Sequence, residues 1–301
     1  MFCISRLLPG PPFGIICLIE GQFGSKDMNL TSPSQVKSWC IENGFHPNRV
    51  LGQNFLVDRN ALTDIVDAGW PQVEGRVPRI LEVGPGLGVL TEELLSRGAE
   101  VTAVEKDPVL AARLSDALGA PSALIVVPGD ALDFVKAGNA DSFDAMVSNL
   151  PYQAGTRILL ELVSRLDVAT APGLMTVLVQ TEVGERLAAG PGSKTRGLAG
   201  VWAQLDYNVE IVREVAATCF WPRPQIGSAV VRLTRKADPG LSPEERRTFR
   251  RLTKKSFEHR RKQLGSIFKG MIQSTARAEE LENEDWIALA KAVCGEPGFE
   301  S

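Results

Sequence analysis

The sequence predicts an α/β protein: one seven-stranded, doubly wound sheet over residues 28–236, followed by a small all-helical domain over residues 237–301. Three observations predict it. Strand-like and helix-like segments alternate from Arg79 to Gln180, the pattern of a parallel sheet covered on both faces. Strand signals stop near Arg235–Leu241, "RKADPGL", where the composition changes. Charge is segregated as well. Eleven basic and three acidic residues between Leu241 and Arg277 give that stretch +8, which leaves −11 for the rest of a chain of net charge −3. An acidic body with a basic tail domain suits contact with a polyanion.

Each element follows in chain order. Ser34–Glu42 reads as a helix, then "NRVLGQNFLVD" as a glycine-punctuated segment, then Asn60–Ala68 as a second helix. "RILEV" (Arg79–Val83) is the first clear strand, and "GVLTEELLSRG" a helix closed by Gly98. "EVTAV" (Glu100–Val104) is a strand, after which Asp107-Pro108 supplies an N-cap and a first-turn proline. Further strands are Ala123–Val127, Asp144–Ser148, Leu174–Gln180, Asn208–Val215 and Ser228–Leu233, with a helix at Thr156–Leu166. The last two strands are expected to form an antiparallel edge. Beyond residue 242, "SPEERRTFRRLTKKSF" starts a helix at Ser-Pro, and "EDWIALAKAV" forms the last one.

The five cysteines show no C-x-x-C pairing, which fits a reducing cytoplasm and argues against zinc. Only His46 and His259 are present, too few for a multi-histidine metal site and unsuited to a Ser-His-Asp triad. No metal and no membrane partner are expected, since nothing approaches a transmembrane span. Residues 1–27 carry a short apolar run interrupted by "PGPP". They read as a disordered extension or an upstream start ahead of Met28, with a targeting peptide as the alternative.

Four strand ends carry the chemistry. "EVGPGLG" (Glu82–Gly88) follows a strand and opens a helix, where glycines let the backbone approach a ligand. Glu105 ends the second strand 19 residues after Gly86, in position to accept hydrogen bonds from ribose hydroxyls. Asp130 in "PGDAL" follows the third strand and suits an adenine amino group, a helix N-cap, or both. The fourth strand ends in Asn149-Leu150-Pro151-Tyr152. Pro151 stops the ladder and stiffens the corner. Its amide and main-chain carbonyl acceptors beside a stacking ring suit a flat base with an exocyclic amine. Such an amine is a poor nucleophile until hydrogen bonds to the Asn149 side-chain oxygen and the Leu150 carbonyl pull it towards a tetrahedral shape. The fitting electrophile is the methyl of S-adenosylmethionine, and Tyr152 is placed to stack on the base.

Taken in order, "LGQNFLVD", "EVGPGLGVLT", "VEKD", "GDAL", "NLPYQ", "QTEVGERLAAGPGSKTRGLAGVWAQ", "CFWPRPQIGSAVVRL" and "HRRKQL" resemble the small-subunit rRNA adenine dimethyltransferases from about Met28 onward. The resemblance implies a Rossmann-like methyltransferase sheet. It also implies dimethylation of the N6 amino groups of two adjacent adenosines near the 3′ end of 16S rRNA during ribosome biogenesis. Asn54 and Leu56 then cover the cofactor together with Gly84, Glu105, Asp130 and Asn149. Asn149, Leu150 and Tyr152 form the catalytic corner, and Phe220 faces Tyr152 across the target base. Arg260, Arg261 and Lys262 of the basic tail contact rRNA of the immature small subunit, and the enzyme is expected to be a cytoplasmic monomer. The family's helical domain often reads Arg-Arg-Lys-Thr-Leu-Arg-Asn; here Gln263 and Gly265 stand in "RRKQLGS".

Three rivals stand beside this reading. A large-subunit rRNA adenine methyltransferase of the macrolide-resistance type would share fold, cofactor and corner. A non-catalytic assembly factor would not need an intact "NLPYQ". A nicotinamide dehydrogenase has no use for the Asn149–Tyr152 corner.

Overall fold

The computed structural model describes residues 28–296 and Phe299. The expectation for residues 1–27 lies outside the described residues. Pro33 starts α1 (Pro33–Glu42), and a short strand β1 (Phe55–Leu56) precedes α2 (Arg59–Gly69), whose N-cap Asp58 accepts from the Ala61 amide. The alternation read from sequence then begins. It runs through β2 (Arg79–Val83), α3 (Val89–Ser96), β3 (Glu100–Glu105), α4 (Pro108–Ala117), β4 (Leu124–Pro128), α5 (Ala131–Lys136), β5 (Ala145–Asn149), α6 (Gly155–Val163) and β6 (Leu174–Gln180). Asp107 caps α4 as expected, accepting from the Val109 and Leu110 amides. Two helices, α7 (Thr181–Ala188) and α8 (Leu198–Asp206), lead to the edge strands β7 (Tyr207–Val215) and β9 (Ser228–Arg235). Between these lies the two-residue strand β8 (Phe220–Trp221).

The main sheet has seven strands in the order β4-β3-β2-β5-β6-β9-β7. β2 to β6 are parallel, while β9 runs antiparallel to both β6 and β7. The antiparallel edge is therefore as the sequence predicts. The chain winds outward from β2 in one direction and from β5 in the other, so the switch point lies between these two strands. Buried apolar clusters fill both faces. Leu81, Met146, Ile158 and Val177 mark one, and Ile65, Ile80, Leu94 and Val101 the other. A second sheet, β1 with β8, pairs Phe55 with Trp221 and Leu56 with Phe220 across more than 160 residues of chain.

The tail is helical: α9 (Pro243–Glu258), α10 (Leu264–Ile267) and α11 (Asn283–Val293). Ser242 and Glu245 form the capping box of α9. Phe249, Leu252 and Trp286 gather with Val201 and Leu205 of α8 in one buried cluster, so the tail is packed on the sheet region through α8. One expectation is corrected here. Arg246 belongs to the basic stretch whose charge suits a polyanion, yet it is buried, paired with Asp206 at 2.9 Å. Arg250 turns inward too and donates to the Arg165 carbonyl. Burial, with Arg246 alongside, pushes its pKa down to about 10. Helical periodicity explains this. A 16-residue helix packed on one side turns every third or fourth charge inward.

Candidate active site

A cleft of about 260 Å³ opens over the carboxyl ends of β2, β3, β4 and β5, at the switch point of the sheet. Each wall follows from local chain geometry. After β2 the chain turns through Gly86 at φ +60°, where a Cβ would meet the Phe55 ring at 3.0 Å. Only glycine tolerates both the left-handed conformation and the close ring. Glu105, at the end of β3, is buried. Its Oε2 accepts from the Gly86 amide at 3.1 Å and its Oε1 from the Asp107 amide at 2.8 Å. Burial raises its pKa, and these backbone bonds hold the carboxylate form against that. A carboxylate has about four acceptor sites, so these bonds leave it capacity for a ligand.

Asp130 follows β4. It serves as the N-cap of α5, accepting from the Leu132 amide at 2.8 Å, while its other oxygen accepts from Lys106 Nζ at 2.8 Å. That lysine bond lowers its pKa. The capping half of the sequence reading is therefore present, and the lysine is an added partner.

The β5 corner closes the fourth side. Asn149 Nδ2 donates to the Asn54 carbonyl at 2.9 Å, which fixes the amide plane and leaves Oδ1 as the acceptor on the cleft. The Leu150 amide donates to Leu178 of β6 at 3.1 Å, pinning the corner to the sheet. Tyr152 lines the cleft half-buried, with its hydroxyl 2.7 Å from Ser228 Oγ. Opposite, the segment from Val50 to Leu56 covers the cleft. Gly52, at φ +68°, lies so close that a Cβ would sit 3.2 Å from the Tyr152 amide nitrogen. Gln53 ties this cover to the floor by donating to Asp107 at 2.8 Å.

The structure thus brings Asn54, Leu56, Gly84, Glu105, Asp130, Asn149, Leu150 and Tyr152 together around one cleft. It does not bring Phe220 there. Phe220 is 3% exposed and packs in the buried cluster with Leu56, Leu62 and Ile65, outside the residues that line the cleft. Arg260, Arg261 and Lys262 lie in the helical tail, away from the cleft. Arg260 donates to the Lys194 carbonyl at 2.6 Å and lies 3.5 Å from Glu279, while Arg261 and Lys262 are exposed. At Gly265 a Cβ would come 2.9 Å from the Ser274 carbonyl, which explains physically why a side chain is missing there.

Sequence reasoning gave no role to Glu82, a fully buried carboxyl in the middle of an apolar strand, bonded to Thr91 Oγ1 at 2.7 Å and lining the cleft. Burial pushes its pKa up to about 8. A lone acid inside "RILEV" was the available signal. Among the described residues no three His, Cys, Asp or Glu side chains gather as metal ligands, and no helix is long and apolar enough to cross a membrane.

Residues 44–292 match the family described as ribosomal RNA adenine dimethylase. The chain belongs to that family. Among curated relatives, Ribosomal RNA small subunit methyltransferase A of Cutibacterium acnes is 38% identical over 268 residues, covering 85% of this chain and 86% of that protein. The protein of the same name from Nocardia farcinica is 39% identical over 262 residues, covering 84% and 87%. Two solved structures share the fold of this dimethylase family member. A dimethyladenosine transferase from Plasmodium falciparum aligns with TM-score 0.66 at 21% identity, over 78% of this chain and 95% of that one. The 23S rRNA methyltransferase ErmE aligns with TM-score 0.62 at 24% identity, over 79% and 99%.

Proposed function

We propose that the protein transfers methyl groups from S-adenosylmethionine to the N6 amino groups of two adjacent adenosines near the 3′ end of small-subunit rRNA, within the immature subunit. The observation that supports this most is the β5 corner, where Asn149 lines the cleft and is held through Nδ2, which leaves Oδ1 as its acceptor. A nicotinamide reading has no use for that arrangement. Fold likeness does not decide between small-subunit and large-subunit enzymes, since the 23S rRNA methyltransferase ErmE aligns about as well as the dimethyladenosine transferase. The 34–39% identities to small-subunit methyltransferases over most of the chain favour the former.

The cleft fits the cofactor in its polar groups: a glycine turn, the Glu105 carboxylate, and Asp130 on the next strand end. Glu105 would hold the ribose hydroxyls, Asp130 the adenine edge, and Asn54, Leu56 and Gly84 would enclose the rest. When bound, S-adenosylmethionine supplies an electrophilic methyl group on a sulfonium. Asn149 Oδ1 and the Leu150 carbonyl accept hydrogen bonds from the target amine. That draws its lone pair out of the ring, a gain realised mainly in the transition state. Tyr152 stacks on the base, which must leave its helix to enter. The alkylated amine is acidic enough to lose its proton to water, so no strong base is needed. The protein acts as a cytoplasmic monomer.

The test is incubation with unmethylated small subunits and, separately, large subunits in the presence of radiolabelled S-adenosylmethionine, followed by mapping of the modified base. Dimethyladenosine in small-subunit rRNA supports the reading; label confined to large subunits overturns it.

A further inference from the structure

We infer that Ser228 is a positioning residue for Tyr152, setting the plane of the ring on which the target base stacks; this rests on the function proposed above. The tyrosine hydroxyl lies 2.7 Å from Ser228 Oγ, a contact between residues 76 positions apart. Ser228 is fully buried. It is the first residue of β9 and pairs with Gln180 of β6 and with Val215 of β7, so strands on both sides hold its backbone. The preceding carbonyl, Gly227, accepts from the Thr181 amide at 3.1 Å, which fixes the approach to the strand.

Tyr152 by contrast stands on a corner beyond the end of β5, with one face on the cleft. A ring attached only through Cβ can tilt about two torsions. A hydrogen bond at the para position, to an atom of the sheet, removes most of that freedom. Stacking geometry tolerates little misplacement, and a shift near 1 Å can cost roughly a hundredfold in rate. The bond also joins two segments that meet only in the fold: the "NLPY" corner and the end of "CFWPRPQIGS". Ser228 is fully buried and does not line the cleft, so its effect passes through Tyr152.

A competing account is that the bond merely satisfies a half-buried phenol. Two arms distinguish them. The first needs no substrate. The chain has two tyrosines, so protein labelled with 3-fluorotyrosine gives signals from Tyr152 and Tyr207 alone. Tyr207, buried and donating to the Pro172 carbonyl at 3.1 Å, serves as the internal control. Ser228→Ala should narrow and shift the Tyr152 resonance while Tyr207 stays in place; Ser228→Thr should restore it.

The second arm measures single-turnover methyl transfer to unmethylated small subunits. Ser228→Ala and Tyr152→Phe should each slow it roughly tenfold, and the double variant should be no slower than the slower single one. Cofactor affinity should remain within about twofold. Tyr152→Phe removes the same bond without touching β9, so it covers the case in which Ser228→Ala folds poorly. Loss of the bond alone shifts the Tyr152 resonance on either account, so a Tyr152 line that fails to narrow in Ser228→Ala, or losses that multiply in the double variant, would overturn the inference. If the unaltered protein methylated no adenine, the functional reading would fall, and the fluorine arm would still decide the positioning.

Discussion

Arg246 of α9 and Asp206, the last residue of α8, form a buried ion pair that joins the helical tail to the sheet region. Nη1 donates to Oδ2 at 2.9 Å, and Nη2 lies 2.9 Å from Oδ1 at an angle that makes it a charge contact. Their side chains are 6% and 2% exposed. Burial alone would lower the arginine pKa; the bonds to Asp206 outweigh it and leave it raised. Asp238 also approaches Arg246, at 3.3 Å, but is largely exposed.

Breaking this pair from one side leaves an uncompensated buried charge. Arg246→Ala should therefore lower unfolding free energy by about 3–5 kcal/mol in urea titrations, whereas Arg246→Met with Asp206→Leu should recover most of that loss. Asp238→Ala should change little, because its end of the contact is solvated. A single-residue loss no larger than that of Asp238→Ala would show the pair to be incidental.

Glu82 makes stability depend on pH. Its pKa is raised from 4.5 to about 8 in the folded protein, first by burial and then by nearby Glu105, against the Thr91 hydrogen bond. Folding then takes up a proton between these values. Its stabilising contribution is complete below about pH 4.5, declines as pH rises, and is lost above about pH 8. Glu82→Gln keeps an acceptor for Thr91 and does not titrate. The variant should gain on the native protein in melting temperature between pH 5 and pH 9. Parallel curves would mean that Glu82 stays ionised.

Glu105→Ala should weaken S-adenosylmethionine binding more than it slows transfer at saturating cofactor, because the proposed ribose contact would be made in ground and transition states alike. The structure adds a second effect: the same carboxylate holds the Gly86 and Asp107 amides. Glu105→Gln, which keeps one acceptor oxygen, should lose less affinity than Glu105→Ala. Calorimetry showing native affinity in both variants would remove Glu105 from the cofactor site.

Asn149→Ala should slow single-turnover methyl transfer about 100- to 1,000-fold, the usual cost of deleting one preorganised polar contact at a reacting centre. Some loss of cofactor affinity is compatible with this, since the residue also anchors Asn54. A native rate would contradict the proposed mechanism.

The sheet was legible because its signals are local and repeated. Five residues of "RILEV" are enough to mark a buried strand, and Asp107-Pro108 marks the next helix entry wherever the chain goes afterwards. The four strand-end loops followed from topology, as parallel strands must deliver them to one edge. The β1–β8 pair was not legible, since two-residue strands carry no periodicity and their partners are far apart in sequence. Ser228 looked like an ordinary strand start, and its partner Tyr152 is known only once the fold closes. Phe220 shows the same limit from the other side: the motif places the residue, while packing in the folded core decides what its ring touches. In α9 the charge run gave the helix but not its rotation, and so missed that Arg246 faces inward.

The rotation of the tail sets the last prediction. Arg247 and Arg251 both lie near Glu244, and Arg260 is held by the Lys194 carbonyl and Glu279. These cations already have partners within the chain. Arg261 and Lys262 are exposed beside them, at the turn that ends the long helix. They are accordingly the better candidates for rRNA phosphates. Each phosphate contact adds about 0.7–0.9 to the slope of log affinity against log salt. Arg261→Ala with Lys262→Ala should therefore weaken small-subunit binding and flatten that slope by about 1.5. Arg260→Ala should flatten it less and should loosen the 190–196 loop, whose Gly192 amide is also bonded to the Glu279 carbonyl at 2.7 Å. Cofactor affinity should stay unchanged in both, because the residues that line the cleft lie between Leu30 and Ile158. Filter binding of purified small subunits between 50 and 200 mM salt would read the slopes directly. An unaltered slope in the Arg261 and Lys262 double variant would make the tail a structural cap, and rRNA recognition would then belong to the rim of the cleft, where Arg157 is the exposed cation beside the Tyr152 corner.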